Sequence, residues 1–314
     1  MKSPVLFIVF NRLQVVKEVF NQIKVYQPDK LYISSDGARP EHFGEVKKVQ
    51  EVRNYILNQI DWPCQVETLF REENLGCKYA PQKAISWFFE NEEHGIILED
   101  DCLPSESFFL YCEKLLKKYE NDFRIYGITG SNFNSHIPVV ESYYFSSYFF
   151  TWGWASWKSR WEKHLQIQKS FYANIEDEGN LKLIQNKYAK NHLIKKATAA
   201  YEDDIDAWDY LWILSCVINN GHIVTPEKNL IKNIGFGADA THTVGNLRNQ
   251  RALENIRFPL EHPVQIISNK KLDNLLFKNV KQWMGPYDKI TNLGYLREYK
   301  KVIQNRFKTA INIT

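Results

Sequence analysis

The stretch Ile96-Ile97-Leu98-Glu99-Asp100-Asp101-Cys102-Leu103-Pro104 decides the fold of this chain. A short apolar run ends abruptly in three consecutive acids, and its length and β-branched content predict a buried central strand. Pro104-Ser105 then opens an amphipathic helix with apolar positions at Phe108, Phe109, Cys112, Leu115, Leu116 and Tyr119. The acids are therefore expected where strand gives way to helix, on the carboxyl rim at which open α/β sheets bind ligands. A solvated turn explains an arbitrary acidic triplet. An Asp-Asp pair at the mouth of a buried strand is instead held close and oriented, and such carboxylates repel one another unless a cation neutralises them. Mg²⁺ or Mn²⁺ suits them, since these ions take one or two protein carboxylates and fill their other positions with water and phosphate oxygens.

Outward from this strand, residues 4–130 alternate strand-like and helix-like segments. Apolar runs at 4–10, 30–35, 64–70, 95–98 and 124–129 are separated by helical patterns such as Val15, Val16, Val19, Phe20, Ile23 and Val46, Val49, Val52, Ile56, Ile60. That is repeated βα crossover logic and predicts a mixed, mostly parallel sheet flanked by helices. The strand ends carry Asn11-Arg12, Ser35-Asp36-Gly37, Glu72-Asn74-Gly76 and the acidic triplet, polar groups expected along one rim.

After about residue 135 the texture turns aromatic, with Tyr143-Tyr144-Phe145, Tyr148-Phe149-Phe150 and Trp152-Gly153-Trp154-Ala155-Ser156-Trp157. These read as further strands, a loop, and a helix starting near Ser156. Residues 178–200 read as a Lys-rich helical insertion, and Trp208 to Asn219 as a compact helix closed by Asn220-Gly221. His222 to Thr225 is strand-like, and Ile234-Gly235-Phe236-Gly237 to His242-Thr243 is a Gly-rich loop. Residues after 268 read as basic, partly amphipathic helices.

Composition bounds the answer. With 44% hydrophobic residues, 314 residues can bury a sizeable core, which excludes a disordered chain. The net charge of +3 is uneven: residues 268–314 hold ten Lys/Arg against three Asp/Glu, leaving 30 against 34 in residues 1–267. No nucleic-acid partner is expected. No apolar run approaches the roughly 20 residues that span a bilayer, and Val5 to Phe10 is too short for a signal peptide. Five cysteines without paired metal-ligand spacing fit reduced thiols in the cytoplasm.

A dinucleotide-binding or Walker loop needs glycines after the first strand, where this chain has Phe10-Asn11-Arg12-Leu13. That disfavours oxidoreductases, P-loop NTPases and sugar nucleotidylyltransferases. A phosphate-and-metal site without a P-loop suits a nucleotide-diphosphate sugar, whose departing diphosphate needs charge neutralisation. Asp101 could hold the metal and Arg12 could clamp the phosphates. Asp36 could accept the imino N–H of a uracil. Taken alone, Arg12 reads equally as a surface arginine and Asp36 as a turn residue. A base for an acceptor hydroxyl is offered by Asp209, flanked by Trp208 and Trp212, which could raise its pKa and stack a sugar. The i,i+4 spacing of those two Trp residues fits a core face just as well, with Asp209 a solvated first-turn residue.

Taken in order, these pieces resemble the GT-A glycosyltransferases, and within them the inverting, metal-dependent N-acetylglucosaminyltransferase I type. The likeness spans roughly residues 4–243. It consists of Arg12 after the first strand, Ser35-Asp36-Gly37 after the second, Glu99-Asp100-Asp101 with Phe108-Phe109, Gly153-Trp154 with Trp157, Trp208-Asp209, and Phe236-Gly237 with Thr241-His242. The resemblance implies Asp101 as metal ligand for Mn²⁺ or Mg²⁺, Asp100 and Glu99 on ribose and donor sugar, Asp36 on uracil, Arg12 on the nucleotide and Asp209 as catalytic base. The loop 235–243 would close over the diphosphate with Phe236, Gly237 and His242. Trp152-Gly153-Trp154 is also similar to a run in galactosyltransferases of this fold, which implies that Trp152, Gly153, Trp154 and Trp208 shape the acceptor and sugar pocket.

The chain departs from the eukaryotic family in that no membrane anchor is expected from its apolar runs, and in a low-glycine, Lys- and Asn-rich composition that is more bacterial. The resemblance divides it into a transferase domain at 1–267, with a nucleotide-binding half at 1–130 and an acceptor half at 131–267, and a basic extension at 268–314. The expected activity is transfer from a UDP-sugar, UDP-GlcNAc among them, to a glycan or lipid-linked acceptor in surface polysaccharide synthesis. The basic extension would contact the inner membrane face as a peripheral anchor, or cap the domain as a solvated helix. Two other expectations stand beside this one: a non-catalytic glycan-binding protein on the same scaffold, and a nucleotide-sugar hydrolase.

Overall fold

A computed structural model describes residues 1–235 and 251–281. In chain order the elements are β1 (Val5–Val9), α1 (Leu13–Tyr26), β2 (Lys30–Ser35), α2 (Glu45–Gln59), β3 (Gln65–Phe70), α3 (Gly76–Asn91), β4 (His94–Glu99), β5 (Cys102–Pro104), α4 (Phe108–Tyr119), β6 (Ile125–Thr129), β7 (Tyr143–Ser146), β8 (Trp154–Trp157), α5 (Lys158–Lys169), α6 (Phe171–Glu176), α7 (Lys187–Tyr201), α8 (Asp209–Ile218), β9 (His222–Pro226), β10 (Ile231–Asn233) and α9 (Lys270–Lys281).

Eight strands form one sheet in the order β3-β2-β1-β4-β8-β6-β9-β7. The pairs β3–β2, β2–β1, β1–β4 and β6–β9 are parallel, while β8 and β7 run against their neighbours. The sheet is therefore mixed and mostly parallel, as the crossover pattern predicts. Successive side chains leave a strand on opposite faces, and each face has its own core. Ile96 and Leu98 join Val5, Phe7 and Val9 in a cluster with α1, α2 and α4. Ile97 and Leu6 enter a second cluster with Phe88 and Phe89 of α3, Trp161 of α5 and Trp212 of α8. The fully buried Ile96, Ile97 and Leu98 bear out the central strand.

Three details differ from expectation. Pro104-Ser105 does not open a helix: the chain makes a turn at Asp100-Asp101, β5 pairs antiparallel with β10, and α4 begins at Phe108. Ser156 is a strand residue, and α5 follows at Lys158 because β8 must fill the place between β4 and β6. At the end of α8 the left-handed residue is Asn220 (φ 53°), not Gly221. Residues 171–218 build a third apolar cluster in which α7 packs on α8.

Strands from both sides of residue 130 share the main sheet. The start of the basic extension is docked: Asp273 of α9 accepts a hydrogen bond from the Ser146 hydroxyl at 2.6 Å and from the Ser147 N–H at 3.0 Å. The remainder, 282–314, lies outside the described residues, as does the loop 236–250. No helix among the described residues is long and apolar enough to cross a membrane.

Candidate active site

A cavity of about 660 Å³ opens at the carboxyl ends of β1, β2 and β4. Arg12, Asp36, Glu99, Asp100, Asp101, Trp152, Trp208 and Asp209 all line it, so residues spread over nearly 200 positions of sequence meet at one site. The reason is topological: β1, β2 and β4 are parallel and end on one rim, and β8, antiparallel to β4 with Trp154 opposite Ile97, brings its entry segment to that rim.

The acids and Arg12 form the centre. One guanidinium nitrogen of Arg12 binds Asp100 Oδ1 and, at 2.9 Å, Asp101 Oδ2. Asp100 is 5% exposed, and its second oxygen is buried with no hydrogen-bond partner among the described residues. Burial raises its pKa, Arg12 opposes, and Asp101 adds to the rise. Desolvation, with the charges of Asp101, Asp209 and Asp100 behind it, pushes Glu99 up to about 8 against a hydrogen bond from Trp208. One arginine therefore leaves the carboxylates under-compensated.

Asn233, which sequence reading did not assign, and the first residues of the Gly-rich loop support Asp101. Asn233 in β10 reaches its Oδ1 at 3.4 Å, and the Ile234 N–H binds its backbone carbonyl at 2.8 Å. Gly235 follows so closely that a Cβ there would sit 2.1 Å from Asp101 Oδ2 and 2.7 Å from an Arg12 nitrogen. Gly235 was marked in the sequence as part of the Gly-rich loop and Asn233 not at all; only the β5–β10 pairing links them to the acids.

Asp36 lines the cavity but is already engaged. Its carboxylate accepts the Leu75 N–H at 2.9 Å and the Gly76 N–H at 3.1 Å, at the start of α3, while burial raises its pKa. Asp206, also unassigned by sequence reading, caps the same helix by accepting from the N–H groups of Cys77 (2.9 Å) and Lys78 (2.5 Å). Two carboxylates thus satisfy the amino end of α3. Arg39 was missed as well: it lies over the Phe10 ring and binds Glu45, which, against its burial, is held down at about 2. Cys77 also faces the cavity, but burial and then Asp206, Glu99 and Asp36 push its thiol to about 12, which argues against a thiolate nucleophile or ligand.

The aromatic residues divide. Trp152 is half-buried and lines the cavity. Trp154 is fully buried and Gly153 is buried, and neither reaches it. Gly153 has φ +62°, and an added Cβ would strike Ile231 at 2.3 Å, so it serves the entry into β8. Trp208 is 6% exposed, stacks on Trp154 and donates to Glu99, which leaves little ring face for a sugar. Trp212 is core. Asp209 is the first residue of α8, with the Tyr210 N–H 3.0 Å from its Oδ1, and its carboxylate lines the cavity beside Trp208. Phe236, Gly237 and His242 lie outside the described residues.

Among the described residues no group of three or more His, Cys, Asp or Glu side chains is arranged to hold a metal ion. The donor set nevertheless fits a hard divalent cation. It is all carboxylate oxygen, under-compensated, with one buried Asp100 oxygen unsatisfied. Mg²⁺ and Mn²⁺ need only one or two such oxygens when phosphates and water complete the shell.

No protein-family model and no curated protein sequence matches the chain. Among solved structures it is similar to a mannosyltransferase from Pyrobaculum calidifontis in complex with GDP-Man and Mn²⁺ (TM-score 0.36, 12% identity, 69% of this chain and 70% of that one). It is also similar to an inositol-1-phosphate CTP transferase from T. maritima (0.36, 11%, 70% and 84%) and to the glycosyltransferase GlyE of Streptococcus pneumoniae TIGR4 (0.31, 11%, 95% and 64%). Likeness at this level assigns neither a family nor an activity.

Proposed function

We propose that the chain is an inverting, metal-dependent glycosyltransferase of GT-A type that moves a sugar from a UDP-sugar to a glycan or lipid-linked acceptor. The observation that carries this reading is convergence. An acidic, under-compensated rim at the end of β4 and a carboxylate at the start of α8 share one cavity large enough for a nucleotide sugar.

In this reading Asp101, with Asp100 beside it, would hold Mn²⁺ or Mg²⁺, which would supply charge neutralisation for a departing diphosphate. Asp209 takes the proton of the acceptor hydroxyl as that oxygen attacks the anomeric carbon. The bond from that carbon to the diphosphate breaks, and UDP leaves with the electron pair. Arg12, which bridges the two aspartates, would meet phosphate oxygens of the donor. Trp152, which lines the cavity half-buried, would border the sugar. UDP-GlcNAc is the first donor to test, and a bacterial surface glycan the acceptor class.

Calorimetric titration of UDP with and without Mn²⁺ tests the donor site on wild type and Asp101→Ala. UDP should bind wild type only with metal, and the substitution should remove that dependence. If UDP fails to bind wild type under both conditions, the reading falls. Asp209→Asn should keep UDP affinity and lose turnover of a UDP-sugar by about a hundredfold or more, the usual scale of a lost general base.

A further inference from the structure

We infer that the acceptor carries an anionic group, carboxylate or phosphate, and that Lys196 of α7 holds it while the reacting hydroxyl meets Asp209. This rests on the transferase reading and adds the chemical class of its acceptor.

The cavity is lined by six acids, Asp36, Glu99, Asp100, Asp101, Asp206 and Asp209, and by three cations, Arg12, Arg39 and Lys196. Arg12 is taken by Asp100 and Asp101, and Arg39 by Glu45. Lys196 is different. It is half-buried, lines the same cavity, and makes no ion pair or side-chain hydrogen bond among the described residues, although six carboxylates share that space. An ammonium drawn partly out of water without a partner loses solvation, and an incoming anion restores it.

Its position favours the acceptor over the donor. Lys196 sits on α7, which packs against α8, the helix that begins with Asp209. Arg12, Asp36 and the acidic triplet instead lie at or just after the ends of β1, β2 and β4. The rest of α7 is consistent with a track for a negatively charged chain. It holds Lys187, Lys190, Lys195 and Lys196 and no acid, within a region whose overall balance is negative. Tyr188, His192 and Lys196 recur every four residues and so share a helix face, which runs from the 65% exposed Tyr188 through His192, whose ring is 6.5 Å from that of Tyr210, to the cavity.

The test uses NMR titration of the UDP- and Mn²⁺-saturated protein with three probes: 4-nitrophenyl β-glucuronide, glucose 1-phosphate and neutral 4-nitrophenyl β-glucoside. At least one anionic probe should bind wild type about tenfold more tightly than the glucoside, the scale of one charge-assisted contact. Which of the two does so tells carboxylate from phosphate. The preference should vanish in Lys196→Met, survive in Lys196→Arg and weaken as salt rises. Charged and neutral probes binding wild type alike, or not at all, overturn the inference, as does a preference that persists in Lys196→Met. UDP affinity, measured on the same samples, should be unchanged in Lys196→Met; a fall there would make the lysine a donor-phosphate ligand and equally overturn it. Failure of UDP to bind wild type is the separate result that removes the transferase reading itself.

Discussion

Asp101 is held by contacts that its sequence neighbours do not supply. Arg12 arrives from the end of β1, Asn233 from β10, and the backbone of Gly235 closes against both the carboxylate and the guanidinium. A methyl group at 235 has no room, since Asp101 Oδ2 would be 2.1 Å away, and either the carboxylate or the strand end must move. Gly235→Ala should therefore keep the fold while weakening metal-dependent UDP affinity by about tenfold or more, a displacement of one charged ligand. Unchanged affinity in the calorimeter would mean that Asp101 is not held in its working position by this contact.

At the scale of elements, α3 is the joint between the strand-end rim and the segment leading to Asp209. Asp36 caps its first N–H groups from β2, and Asp206 caps the next two from just before α8. Lys78, itself 5% exposed, adds a bond to Asp203. Asp206 thus satisfies two donors at the amino end of α3, and it ties the 203–209 segment to the rim at the end of β2. Asp206→Ala should cost about 1–2 kcal/mol, the range for losing a helix cap. At roughly 2–4 °C per kcal/mol this is a readable drop in Tm by calorimetry. A Tm within 1 °C of wild type, on the order of measurement scatter, would show that water replaces the cap at no cost.

For the whole molecule, acid stability should depend on a histidine that does not line the cavity. His164 of α5 is 1% exposed, with Nδ1 2.8 Å from the Ser215 hydroxyl and Nε2 2.6 Å from the Gln168 amide. The Ser215 hydroxyl donates to the Leu211 carbonyl, so it accepts from Nδ1–H, and Nε2 accepts from Gln168: both ring nitrogens are satisfied by the neutral form. Burial lowers its pKa to about 3. The unfolded chain protonates near 6.5 and the native one does not until about 3, so this group's contribution is fully present above pH 6.5 and declines as pH falls through that window. The slope is roughly 1 kcal/mol per pH unit. His164→Gln should lower Tm at pH 8 yet show a shallower fall between pH 6.5 and 4; parallel curves for the two proteins would refute the assignment.

What the sequence determined by itself was whatever depends on local periodicity and order. Ile96-Ile97-Leu98 could only be an interior strand, because a short β-branched run with no polar face has nowhere else to go, and β1, β2, β3 and β6 followed from the same pattern. Parallel order then places their carboxyl ends together, which made Arg12, Asp36 and the acidic triplet legible as one rim. Tertiary structure decided what pairing and burial decide. Trp152, Trp154 and Trp208 are alike on paper, yet Trp154 is sunk in β8, Trp208 lines the cavity while hydrogen-bonded to Glu99 and stacked on Trp154, and Trp152 lines it half-buried. Asn233, Asp206 and Lys196 carried no signal, and Gly235 was marked only as part of a Gly-rich loop, since each acts on a partner more than a hundred positions away or on a space that exists only after α7 has packed on α8. Local pattern encodes which face of a strand or helix is dry; the site is made of distances between elements, and those are set only when the sheet closes its order.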